Sequence, residues 1–88
     1  MNLDTKQAVK FAKEWVASQY SDEGIDDLGL EEIRWNDGYW EITLGFSRRW
    51  DRAGLVGLTG STRPRVYKVV TVSDANGEVT SLRNREAA

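Results

Sequence analysis

Two residues, Asp37-Gly38, constrain this chain more than any other feature of it. They sit inside EEIRWNDGYWEITLGF, residues 31–46. An Asp-Gly pair flanked by alternating apolar residues signals a type I′ hairpin turn, whose two central positions both require positive φ. A two-residue turn sets Asn36 against Tyr39, Trp35 against Trp40, Arg34 against Glu41 and Ile33 against Ile42. One face of the ribbon then carries a Trp–Trp and an Ile–Ile pair, and the other an Arg–Glu ion pair. Each such pair stabilises a sheet by about 0.2–1 kcal/mol. A three-residue turn would set Ile33 against Glu41, so the pairing chemistry selects the register. Trp40, Ile42, Leu44 and Phe46 prolong the apolar face, which is expected to meet a helix.

That helix is written at the N-terminus. Asp4 followed by Gln7 fits a capping box, and Ala8, Phe11, Ala12, Trp15, Val16 and Tyr20 recur at three- and four-residue intervals. Lys6, Lys10, Lys13 and Glu14 lie mainly on the opposite side. Ser21 to Gly29, with Asp22, Glu23, Asp26 and Asp27, reads as an acidic, solvated, turn-like connection; its carboxylates do not follow a calcium-loop pattern.

A second hairpin is expected in RVYKVVTVSDANGEVTSLRNR, residues 65–85, with Asp74-Ala75-Asn76-Gly77 as its turn and Val72 opposite Val79. Strict alternation places Val66, Val70 and Val72 on one face and Tyr67, Val69 and Leu82 on the other. Both faces are then partly apolar, which in a sheet covered by one helix leaves surface for a partner. Arg83 to Ala88 reads as a fraying tail. The expected architecture is α+β: one N-terminal helix packed on a four-stranded antiparallel sheet, two hairpins joined by a long loop, in a single domain spanning residues 1–88.

The joining stretch, RRWDRAGLVGLTGSTRPR (residues 48–65), concentrates the positive charge. It holds five arginines against Asp51, a net +4, leaving the rest of the chain with seven bases and thirteen acids, a net −6. Gly54, Gly57 and Gly60 precede Ser61-Thr62, but a phosphate loop needs a Lys before the hydroxyl residue and a helix after it; here Pro64 and a strand follow. Arg48, Arg49, Arg52, Arg63 and Arg65 with Trp50 suit a single-stranded nucleic acid, whereas the overall charge of −2 weighs against one. Trp and Arg are also the side chains enriched at protein interfaces, and Leu55, Val56 and Leu58 lie in a segment without periodicity to bury them. The competing reading folds Leu55 and Leu58 back onto the sheet as core.

Chemistry is restricted by what is missing. The chain has no His and no Cys, which removes the commonest general base, the usual zinc ligand, thiolate nucleophiles and disulfides. Its carboxylates show no arrangement that would flank a substrate, so no catalytic residue, cofactor or metal is expected. No apolar run long enough to cross a membrane occurs, and Met-Asn-Leu-Asp-Thr-Lys lacks the core of a signal peptide; a cytoplasmic location is the expectation.

The final hairpin, YKVVTVSDANGEV, resembles those of the cystatin-like and PepSY-like group of small α+β domains, as does the order of a helix before antiparallel strands. That resemblance implies the fold class and, as an alternative function, a protease-inhibitor-like role. The chain lacks the Gln-x-Val-x-Gly loop with which cystatins enter a protease cleft, so no inhibitory residue carries over. The leading expectation is a non-enzymatic interaction module, self-associating or docking a larger protein. Its partner would meet the open sheet face (Tyr39, Tyr67, Val69, Leu82) and the 48–65 segment: Arg48, Arg49, Trp50, Arg52, Leu55, Val56, Leu58 and Arg63. A single-strand nucleic-acid binder using Trp50 and the arginines is the alternative.

Overall fold

A computed structural model of the chain describes residues 3–48 and 65–85, with the side chain of Arg48 excepted. One helix, α1 (Thr5–Gln19), precedes four strands: β1 (Ile25–Asn36), β2 (Tyr39–Arg48), β3 (Val66–Ser73) and β4 (Val79–Asn84). They form one antiparallel sheet in the order β1-β2-β3-β4, as expected for the α+β class.

The helix begins as its sequence requires. Asp4 Oδ1 accepts from the Gln7 amide at 2.8 Å, and the Asp4 amide donates to Gln7 Oε1 at 3.0 Å. Two of the free amides at the start of the helix are thereby satisfied reciprocally. Leu3 and Ala8 occupy the flanking positions of a hydrophobic staple, and both are buried in the core cluster. Ala8, Ala12 and Val16 are fully buried at four-residue spacing, and these small side chains let the helix axis approach the sheet closely. Beneath them lie Ile42, Leu44 and Phe46 of β2 and Val70 and Val72 of β3, all fully buried. The Tyr20 ring closes the far end against Phe46, with ring centroids 5.2 Å apart.

The first hairpin has the expected register: Ile33↔Ile42, Arg34↔Glu41, Trp35↔Trp40 and Asn36↔Tyr39. Asp37 and Gly38 take φ of +46° and +90°, both positive as the primed turn demands. Trp35 and Trp40 meet edge to face with centroids 4.9 Å apart. One detail differs. Glu41 lies opposite Arg34, but its carboxylate accepts from Asn36 Nδ2 at 2.8 Å and pairs with Arg83 of β4 at 3.9 Å.

The acidic connection is shorter than its composition suggests, because β1 already starts at Ile25. Pairing with β2 shifts twice, between Asp26 and Gly29 and between Leu30 and Glu32, each time by one extra β1 residue. Each extra residue reverses which parity of side chains faces the helix. Ile33 and Trp35 face it, then Leu28 and Leu30, then Ile25, so both parities reach the same side. Asp27 absorbs part of the distortion with φ of +59°. No period-2 alternation survives across residues 25–32, which is why the first part of β1 reads as a turn.

A third shift, between Thr71 and Val72, corrects the position of Leu82. Val72 pairs with Val79 as expected, but Thr71 pairs with Ser81, which leaves Thr80 as the extra residue of β4. Leu82 therefore stands opposite Val70 and packs against the core instead of on the open face. The turn before it is the expected one, closed by Gly77 and Ser73 at 2.8 Å. The supposed tail also joins the ladder: Arg83 and Asn84 lie in β4, and the Arg85 amide donates to the Tyr67 carbonyl at 3.1 Å.

Candidate functional site

Of the residues singled out in the sequence as partner-binding, Arg49, Trp50, Arg52, Leu55, Val56, Leu58 and Arg63 lie outside the described residues. Arg48 ends β2 with its side chain likewise outside them. Tyr67 is described, half-buried on the open face of β3 opposite Gly45.

That open face is built from polar and charged side chains. Gly45 is the low point of β2 there, and Arg65, Tyr67 and Glu31 converge over it; a Cβ on Gly45 would stand 2.8 Å from Arg65 Nη2 and 3.0 Å from the Tyr67 ring. Through this gap Arg65 crosses to β1, where Nη2 lies 3.5 Å from Glu31 Oε2 and donates to the Asp27 carbonyl at 3.2 Å. Further along, Glu32, Arg34, Glu41, Arg83 and Arg85 ring a hollow of about 160 Å³ over Thr43 and Val69. Thr43 and Val69 are nevertheless buried, since the long stems around them exclude water. Four arginines against three glutamates make this face nearly neutral, and its exposed ion pairs at 3.5–3.9 Å contribute little to stability. Ser47, near Asp26 on the same face, adds a buried hydroxyl with no hydrogen-bond partner among the described residues. Among the described residues no group of three or more His, Cys, Asp or Glu is placed to hold a metal ion, and no helix is long and apolar enough to cross a membrane.

Among the described residues most of the exposed apolar surface lies elsewhere, with Tyr39 standing on the open face. Among the described residues the large hydrophobic side chains left exposed are Leu30, Trp35 and Tyr39, at 44%, 51% and 44%. All three belong to the first hairpin. On the helix side of β1, Leu30 and Ile33 join Val9 and the lysines of α1 in a groove of about 540 Å³. A second groove, of about 550 Å³, flanks α1 on the β4 side, with Phe11, Trp15 and Val79 beside Glu14 and Glu78. The helix thus lies along the middle of the sheet with an open channel on either side.

The sequence did not single out Val9, Leu30 or Ile33 as a surface. Leu30 falls on the open side by alternation, and only the extra residue at Glu31 returns it to the helix side. The lysines read as an ordinary solvated face, for lack of any sign that β1 would run alongside them. Compared with protein-family models, curated proteins and solved structures, the chain matches none.

Proposed function

We propose that this chain is a non-enzymatic protein-interaction module whose partner docks on the β1 side of the first hairpin. The observation that carries this reading is the exposure of Leu30 and Trp35 on the helix side of β1, in a domain whose other large apolar side chains apart from Tyr39, among the described residues, are buried or half-buried. Apolar area withdrawn from water is worth about 25 cal/mol per Å², and Trp and Tyr are the side chains that most often dominate such contacts. Self-association through the open face is a second form of the same reading, favoured by Tyr39, which projects there beside Ser73 of β3.

Photo-crosslinking from single positions in the intact protein tests the reading. A benzophenone side chain at Trp35 is expected to give discrete protein adducts in cells, while one at exposed Thr80 gives few. Heavier self-adducts from Trp35 would identify the partner as a second copy. Equal yields from both positions, or none from Trp35, would contradict the proposal.

A further inference from the structure

We propose that the groove between α1 and β1 seats an amphipathic helix with an acidic flank, contributed by the partner. This deepens the interaction reading and rests on it.

Width comes first. Four strands about 4.8 Å apart present a surface some 14–19 Å wide, while a helix with its side chains is about 10–12 Å across. One helix cannot cover four strands, and α1 lies over the central pair, where Ile42, Leu44, Phe46, Val70 and Val72 are fully buried. On β1 the helix-facing Leu30 remains 44% exposed, so the space beside α1 matches a second helix.

The chemistry of the walls then selects the occupant. Val9, Leu30 and Ile33 supply an apolar floor, and Lys6, Lys10 and Lys13 line the α1 side at four- and three-residue spacing along one stripe. Glu14 is the sole acid in this lining, and it sits 3.9 Å from Lys10. The nearby acids of β1 turn to the opposite face: Glu31 pairs with Arg65, and Glu32 lies opposite Thr43. An occupant needs apolar residues below and carboxylates toward α1. The chain's own 48–65 segment, at net +4, has the wrong sign. A second copy offering its α1 would set lysines against lysines.

The edge of β1 also disfavours an added strand. A strand joining a sheet edge needs an uninterrupted ladder of amides and carbonyls, and β1 breaks its register twice within twelve residues, with Asp27 at φ +59°. Such irregular edges resist strand addition. A helix laid in the groove uses side chains instead of the edge and is indifferent to those breaks.

The test uses the full chain and a labelled synthetic 18-residue peptide with a leucine face and glutamate flanks, followed by fluorescence anisotropy. Two control peptides carry lysine flanks or a central proline. The glutamate peptide is expected to bind, the proline peptide to fail, and added salt to weaken binding several-fold through screening. Combining Lys6→Glu, Lys10→Glu and Lys13→Glu should weaken the glutamate peptide by about tenfold or more and favour the lysine peptide, with helix content by circular dichroism unchanged. Leu30→Ser should weaken both charged peptides. Equal binding of the two charged peptides, or a triple-lysine variant that binds as the parent does, would overturn the proposal. If no peptide binds but the Trp35 crosslinks persist, the acidic helix is wrong and the interaction module stands; if both fail, both readings fall.

Discussion

At the β3–β4 turn, Asp74 Oδ1 accepts hydrogen bonds from two distant places in the chain. The Leu3 amide donates to it at 2.8 Å and the Trp40 indole at 3.1 Å, so one carboxylate ties the start of the helix to β2 and to the turn. Both donors are partly buried and would be orphaned together, and each such loss costs about 1–3 kcal/mol. Asp74→Ala is therefore expected to lower stability by about 2–4 kcal/mol, with Asp74→Asn, which keeps an acceptor, losing less. Urea unfolding followed by tryptophan fluorescence measures both. The exposed Arg65–Glu31 pair makes the opposite case. Its partners are 29% and 37% exposed, and Arg65→Ala should cost below about 1 kcal/mol in the same assay. At this scale the sequence was most legible where chemistry is local, as in the Asp4–Gln7 box and the Asp37-Gly38 turn. It named Asp74 only as a turn residue and was silent on its partners, which lie 71 and 34 residues away.

Among the elements, the strands show why alternation reads some of this sheet and misreads the rest. On β2 the rule holds without a break, and Trp40, Ile42, Leu44 and Phe46 all face the helix. On β4 it fails by one residue at Thr80, whose hydroxyl lies 3.4 Å from the Thr71 carbonyl as its donor. Leu82 then points into the core, where alternation would send it out. Deleting Thr80 should leave Val72↔Val79, Thr71↔Ser81 and Val70↔Leu82 as an unbroken ladder with Leu82 still in the core, whereas Leu82→Ala should cost about 1.5–3 kcal/mol, the value of burying such a side chain. A lowered urea midpoint for Leu82→Ala beside a nearly unchanged one for the deletion would confirm it; a deletion that increases dye binding to exposed apolar surface would show that Leu82 had turned outward. On β1 two such residues interrupt the pattern, and a strand of twelve residues was half hidden in what looked like an acidic connection. Period-2 reasoning finds a strand only while its register with the neighbour is unbroken. Gly38→Ala belongs to this scale too, since φ of +90° is strained for any side chain, and a loss of about 1–2 kcal/mol is expected.

For the molecule as a whole, the helix-on-sheet layer and the two hairpins were legible, because helix periodicity and the hairpin turns each point to one answer, whereas the pairing of β2 with β3 was not read from the sequence. The docking surface was not. It emerges from the width of one helix against four strands and from a parity switch that brings Leu30 beside Lys10, and neither fact is local in sequence. The basic segment at 48–65 drew attention as the most unusual composition, while the groove is made of residues that look ordinary one at a time. Amide chemical shifts of the isotopically labelled full chain, recorded while the glutamate-flanked peptide is titrated in, locate binding residue by residue. The proposed docking predicts the largest shifts at Val9, Leu30 and Ile33 and along the Lys6–Lys13 stripe, with little change at Thr43, Val69 or Arg83. Shifts centred on those last three residues would place the partner on the opposite face and contradict it.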